Sequence, residues 1–507
     1  MMMFSRTYDY DRIDDTASIG AQAARSGGAM FVAKCVRFAS LMIVNYILIN
    51  LLMPADFGLV RYVVMVVAMA AMLNELGLTA AIVQYKHLDS HSLWSLFVLS
   101  SLWGCGLYSV LFILAQPLAN FLNAPELVWL LRIGSLSVPL SGMSAVQRAY
   151  LRRGMAYGTL ARMEITASVI SMAISLFIAF AGLGVWALMA ANLLFEAVNS
   201  SIIMMRCRIC CAPLQSFSAL RPLIFFGLTI IISRLVDYLL GVAPFFMVGK
   251  IIDKNTLGLF SVASDMALMP QTAILSVLSP IMLSMFSRLQ SDDQKTAGGL
   301  HRLLLFGSII TMPASLIMVF LPNELLMVIC LFRQNDVWLE AAPLLKWLAP
   351  MGILYVFTTF SSSIWVSRGK IIPSIAVSAA MFVTVILAIT AGVRWGITGI
   401  CVALLIRSLV VFWPYMYINK QLTGIPIRTY LSALFPALGA GAGMALAMTL
   451  CRHLMIHHAS AHFIVVLTVT AAAGMGAYGA ILVALFTQTL HHMRSMAADM
   501  LLHGRKK

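Results

Sequence analysis

Lys34 and Arg37 lie three residues apart in "MFVAKCVRFASLMIVNYILINLLM" (30–53), a stretch that otherwise reads as a membrane-spanning helix. Each basic residue near the centre of such a helix costs about 2.5–3.5 kcal/mol on insertion scales, so two of them call for a reason. Residues three apart share a helix face. An ammonium and a guanidinium on one face suit an anion with several oxygens, which the guanidinium fork holds bidentately. The competing reading is that both side chains snorkel to the interface. The same spacing returns with Arg234 and Asp237 inside "RPLIFFGLTIIISRLVDYLLGVAPFF". Glu196 and Arg407 are opposite charges in the middle of two further apolar segments. Glu75 and Asp265 read as the remaining buried acids, and intramembrane carboxylates of this kind bind a coupling proton or cation. Arg61, Arg132 and Lys346 fall within snorkelling reach of a segment end, and Arg162, near another end, has Glu164 beside it.

The elements that position these groups follow from composition. Of 507 residues, 61% are hydrophobic and only 10% charged, against about 25% charged in an ordinary soluble domain, and mean hydropathy is +0.93. That excludes a soluble core and implies an all-α polytopic membrane protein, because lipid takes the place of water around the apolar surface. Windows of about 20 residues give fourteen segments, near 29–53, 58–80, 92–116, 126–147, 158–181, 184–205, 222–247, 257–286, 303–321, 342–366, 371–392, 396–418, 430–451 and 462–487. With both termini in the cytoplasm, the cytoplasmic segments hold 21 Lys and Arg and the opposite side holds Lys250, Lys254, Arg333, Arg394 and Arg452, a split of 21 to 5 that the positive-inside rule makes decisive. Residues 1–28, with four aspartates and no apolar core, read as a cytoplasmic tail rather than a cleavable signal peptide.

The net charge of +15 is that of basic loops orienting a membrane protein, not of a nucleic-acid binder. The eight cysteines form no disulfide framework; Cys207, Cys210 and Cys211 in "CRICC" lack a second ligand cluster at zinc-like spacing. His453, His457, His458 and His462 read as a wet loop rather than a metal site. No metal and no cofactor is expected.

The chain repeats itself. "DFGLVRYV" from Asp56 matches "TLGLFSVA" from Thr256, "LLRIGSLSVP" from Leu130 matches "LLKWLAPMGI" from Leu344, and "GVWALMAANLLFEAV" from Gly184 matches "GITGICVALLIRSLV" from Gly396. Segments one to six therefore correspond to seven to twelve, and an even number of spans per half gives both halves the same orientation, the parallel repeat of a transporter. The expected organisation is a tail (1–28), an N-lobe (29–205), an inter-lobe loop (206–221), a C-lobe (222–420), two helices outside the repeat (421–490) and a basic cytoplasmic tail (491–507). At a shift of 200 residues Lys34 aligns with Arg234 and Arg37 with Asp237. The four would line a polar cavity between the lobes. Glu196 and Arg407, also equivalent, would either pair across the halves or each find a local partner.

On "LMPADFGLVRYVVMV" and "LGLFSVASDMALMPQTAILSVLSPIMLSMFSRLQSD", with the twelve-plus-two segment count, the chain resembles the polysaccharide transporter family of the multidrug/oligosaccharidyl-lipid/polysaccharide flippase superfamily, in its Wzx-type, colanic-acid exporter-like branch, from about Ser26 to Thr487. The resemblance implies a flippase, not an enzyme. Its cargo would be an undecaprenyl-pyrophosphate-linked oligosaccharide moved across the bacterial inner membrane by alternating access. Lys34, Arg37 and Arg234 would then meet the phosphates, and Asp237 would limit the field or contact sugar hydroxyls. Partners would be the lipid-linked substrate, membrane lipids, and a polysaccharide polymerase with its export machinery. The absence of a GxxxxGK[ST] phosphate loop agrees with a carrier that does not hydrolyse nucleotide. A multidrug or lipid II-type exporter of the same superfamily, or an integral-membrane polymerase or ligase, would share the hydrophobicity. A cationic rather than acidic cavity favours an anionic lipid-linked cargo. The small external loops, the longest being Pro322 to Ala341, disfavour the second.

Overall fold

A computed structural model of the chain describes residues 2–3, 16–75, 90–154, 156–209, 211–214, 217–288, 293–330, 336–457 and 463–485. They form α1 (Thr16–Leu51), α2 (Pro54–Asn74), α3 (Ser90–Phe121), α4 (Leu127–Gly134), α5 (Ser137–Arg153), α6 (Tyr157–Phe180), α7 (Val185–Arg206), α8 (Phe217–Ile251), α9 (Lys254–Arg288), α10 (Asp293–Phe320), α11 (Pro322–Ile329), α12 (Ala342–Leu348), α13 (Met351–Ser367), α14 (Ile371–Gly392), α15 (Gly396–Thr423), α16 (Ile427–His457) and α17 (Phe463–Leu485). Within the described residues, each of the fourteen apolar segments overlaps a helix or a broken pair of helices. The strand pairing among the described residues is a two-residue parallel bridge of Met2–Met3 with Cys207–Arg208. The external stretch expected to be a loop, Pro322 to Ala341, instead contains α11 and a 3-10 turn at Asp336–Ala341.

Among the described residues, ten stretches are long and apolar enough to cross a membrane, or up to eleven if the pair Asp336–Leu348 and Met351–Trp365, bent by 51°, is one span. One of the ten, Ile372–Thr423, holds two helices, α14 and α15, separated by a 3-10 turn at Val393–Trp395. Large apolar side chains such as Ile113, Phe177 and Leu446 point outward from these helices, an arrangement water penalises and lipid does not. The molecule is a multi-pass membrane protein.

The internal repeat is visible in local structure. The α4–α5 pair breaks at Ser135–Leu136 and the α12–α13 pair at Ala349–Pro350, the two places that "LLRIGSLSVP" and "LLKWLAPMGI" align. The entries to α7 and α15 are Gly184 and Gly396, with φ of 57° and 69°; only a residue without Cβ takes these values cheaply. At the turns before α2 and into α9, a carboxylate satisfies a helix-start N–H: Met53 N donates to Asp56 Oδ2 (3.2 Å) and Thr256 N to Asp253 Oδ1 (2.8 Å). Arg132 lies 4.4 Å over the Phe112 ring and Lys346, its repeat equivalent, 6.0 Å over Trp347.

Contacts divide the chain into two units, one to Val242 and one from Ala243, so the boundary falls within α8. In the first, α1 packs on α6, α6 on α7, and α3 and α7 on α5. Val44, Leu48, Val60, Ala187 and Leu188 form an apolar core there. Asn74 is buried between α3 and α5, donating to Val138 O at 2.8 Å. Gly142 leaves it room: a Cβ there would meet Asn74 Nδ2 and Ser100 O at 2.8 Å. In the second unit Phe357, Phe360, Trp365, Tyr430 and Met444 anchor a larger core, and α16 packs on α10 and α17.

Candidate functional site

In the first unit a cluster of charges joins α1, α5, α6 and α7. Lys34 Nζ donates to Glu164 Oε2 at 3.1 Å, with the Lys34 side chain 52% exposed and Glu164 10%. Arg37, one turn on, stacks its guanidinium 3.4 Å from the centroid of the Phe195 ring, a cation–π contact. Glu196 receives Arg148 Nη1 at 3.5 Å, while Arg148 Nη2 donates to Ser141 O at 2.7 Å. Three cations against two carboxylates leave one net positive charge.

Beyond Arg37 a small cleft opens between α1, α6 and α7, lined by Ser40, Val44, Ser168, Ser171, Ala191 and Phe195 among others. Its two α6 hydroxyls are engaged along their own helix, Ser168 Oγ donating to Glu164 O (2.7 Å) and Ser171 Oγ to Ser168 O (3.1 Å). That is how a helix hides a serine in an apolar setting. Nearby on α5 and α7, Ser144 and Ser200 share a hydrogen bond of 2.9 Å. The buried Gln147 Oε1 and Asn199 Oδ1 have no hydrogen-bond partner among the described residues. A polar column through an apolar bundle is costly unless used.

The depth follows from helix geometry. Lys34 is six residues inside the apolar span that starts at Gly28, about 9 Å at 1.5 Å per residue. Glu164 is seven residues into α6, Arg148 five from the end of α5 and Glu196 ten from the end of α7, so the cluster lies about 8–15 Å inside these helix ends.

The expected residues fall as follows. Lys34 and Arg37 come together in the cluster. Arg234, at the midpoint of α8, reaches Glu75 at the end of α2 (3.6 Å), both exposed, at 63% and 51%. Tyr238 OH donates to Met65 O (2.7 Å), fixing the same part of α8 to α2. Asp237 is exposed on α8. Glu75 and Asp265 are corrections. Neither is a buried acid: α2 ends at Asn74, which leaves Glu75 at its exposed C-cap, and Asp265 is exposed on α9. For Glu196 and Arg407, of the two alternatives the structure shows local partners, each inside its own unit. Arg407 donates to Thr384 Oγ1 (2.9 Å) and Met381 O (3.0 Å). Arg148 belongs to α5, and Arg452 to α16, where it meets Glu324 Oε1 at 3.2 Å. Cys210, His458 and His462 lie outside the described residues. The sequence reading missed the pairing roles of Glu164 and Arg148, although Glu164, Ser168, Ser171 and Ser175, at helical spacing in one apolar segment, formed a polar stripe that signalled it.

The sequence model of a family described as "Polysaccharide biosynthesis protein" matches residues 47–343, over half of the chain. The succinoglycan biosynthesis transport protein ExoT of Rhizobium meliloti (strain 1021) is 27% identical over 288 residues, 56% of this chain and 58% of that protein. The teichuronic acid biosynthesis protein TuaB of Bacillus subtilis (strain 168) is 22% identical over 59% of this chain and 62% of its own length. The chain thus spans about three fifths of these two relatives. The lipopolysaccharide biosynthesis protein WzxC of Escherichia coli (strain K12) is 21% identical over 75% of this chain and 77% of its own. Among solved structures, the lipid II flippase MurJ in an inward closed conformation superposes with TM-score 0.67 at 15% identity, covering 90% of this chain and 99% of that one. An inward-facing multidrug resistance MATE family transporter of the MOP superfamily gives 0.61 at 16% identity, covering 76% and 98%. The fold is that of these transporters.

Proposed function

The chain belongs to the polysaccharide biosynthesis protein family, and from that premise we propose that it is a flippase, moving an undecaprenyl-pyrophosphate-linked oligosaccharide across the bacterial inner membrane by alternating access. The observation that carries this reading is the basic face of α1. Lys34 and Arg37 share one face of an otherwise apolar helix, Lys34 half open and held by the Glu164 carboxylate, Arg37 stacked on Phe195. An oligosaccharide and a pyrophosphate cannot cross hydrocarbon unaided, and a polar face that replaces their hydration removes most of that cost. The names of the relatives, transport and biosynthesis proteins for succinoglycan, teichuronic acid and lipopolysaccharide, support cargo of this class.

In this reading both termini are cytoplasmic and fourteen helical spans cross the membrane. The Lys34–Glu164 and Arg148–Glu196 pairs then lie on the cytoplasmic side, where the cargo is made. Arg234 on α8 is a further phosphate contact, and Asp237 limits its field. The sugar-polymerising enzyme and the export machinery would act on the delivered glycolipid. The test is glycan export in cells lacking the chromosomal copy. The intact gene should restore it, and Lys34→Gln with Arg37→Gln should not, at equal membrane levels. Normal export by that double variant would overturn the reading.

A further inference from the structure

A cation that grips a phosphate must also release it, and a carrier whose site binds too tightly does not turn over. The geometry around Lys34 contains a device for this. We propose that Glu164 is a tethered competitor of the cargo: its carboxylate holds Lys34 until an incoming phosphate oxygen displaces it, and takes Lys34 back as the cargo leaves. The proposal rests on the reading above, in which Lys34 meets the pyrophosphate.

Three observations carry it. The two partners are unequally placed, Lys34 52% exposed and Glu164 10%, so a ligand arriving from the open side meets the ammonium first, with the carboxylate behind it. The neighbouring cations are engaged elsewhere. Arg37 lies on Phe195, Arg148 bonds Glu196 and Ser141 O, and Arg162, on the same helix as Glu164, donates to Gly158 O. Lys34 is therefore the cation that Glu164 neutralises in this state. A fallback also exists. Arg37 lies one helical turn from Lys34 on α1, the helix that packs on α6, so on displacement Glu164 has a second cation at hand rather than standing unpaired in an apolar setting, which is costly. The exchange breaks one ion pair as it makes another, so it consumes little free energy in either direction.

Full-length protein in detergent, titrated with farnesyl pyrophosphate as a soluble prenyl-pyrophosphate probe, tests this. Glu164→Gln should bind the probe about five- to tenfold more tightly, the worth of a half-buried ion pair, yet export glycan more slowly because release is impaired. Lys34→Gln should weaken binding by at least a similar factor, and the double variant should match Lys34→Gln, since Glu164 acts only through Lys34. A merely structural Glu164 would give weaker binding on neutralisation. Weaker or unchanged binding by Glu164→Gln, with Lys34→Gln weakened, overturns the competitor while leaving the headgroup reading intact. Unchanged binding by Lys34→Gln removes both. If Glu164→Gln does not reach the membrane, Glu164→Asp carries the test. Its side chain, one methylene shorter, draws the carboxylate off Lys34; tightening supports the proposal and its absence overturns it.

Discussion

Arg234, midway along α8, lies 3.6 Å from Glu75 at the C-terminal end of α2, and the two side chains are 63% and 51% exposed. Hydropathy makes Arg234 a residue deep in a span and Glu75 a buried acid. The structure pairs the two with over half of each side chain exposed, and an open ion pair contributes at most ~1 kcal/mol. The two are therefore separable by mutation. Arg234→Gln should leave protein level and melting temperature near wild type and cut glycan export several-fold. Arg234→Lys should be milder, since charge survives while the fork is lost. Glu75→Gln should export nearly normally. Equal loss in Arg234→Gln and Glu75→Gln would mean that the pair, not the guanidinium, is what transport needs.

Arg148 and Glu196 form a different kind of pair, at 19% and 26% exposure. Removing either partner leaves a charge in a half-buried polar column, at a cost of about 1–3 kcal/mol. Arg148→Gln and Glu196→Gln should each lower the melting temperature of the purified protein, and the Arg148→Glu, Glu196→Arg exchange should recover part of it. Exchanging Glu196 with Arg407 should recover none. Recovery by the Glu196–Arg407 exchange would contradict the local pairing.

Cys207 and Cys211 test the loop between the two halves. Cys207 is buried in the two-residue bridge, and burial pushes its thiol above the ordinary range, with Arg206 opposing the shift. Cys211 is exposed. A raised thiol pKa means less thiolate at a given pH, and the thiolate is the reactive form. In single-cysteine variants treated with an impermeant maleimide, Cys211 should label in inside-out vesicles and not in right-side-out ones. Cys207 should lag behind at neutral pH and gain rate as the pH rises. Labelling of Cys211 from the opposite face would reverse the topology.

Much of this was legible beforehand, for physical reasons. Segments of about 20 apolar residues can be satisfied only as helices in lipid, so the elements followed from composition. The repeat followed from short matches such as "LLRIGSLSVP" with "LLKWLAPMGI", which became paired helix breaks. Lys34 and Arg37 declared themselves as charges in hydrocarbon. Their counterions did not. Glu164 is 130 residues from Lys34, and which face of α6 meets α1 is set by packing that no window average contains. Glu75 was misread because a hydropathy window blurs a helix end by several residues, and α2 stops one residue short of it. Glu196 and Arg407 were matched through equivalence in the repeat. Equivalent helices first satisfy their charges against neighbours in their own unit, as Arg148 and Thr384 show.

The most direct test of the account is a leaflet assay. Purified protein is reconstituted into liposomes with an undecaprenyl-pyrophosphate-linked oligosaccharide, and the sugar exposed to an external lectin is followed over time. The account predicts that the wild-type protein moves the glycolipid between leaflets, and that Lys34→Gln with Arg37→Gln abolishes the movement without loss of folded protein. Equal rates for wild-type and double-variant vesicles, or no movement above empty liposomes, would contradict it.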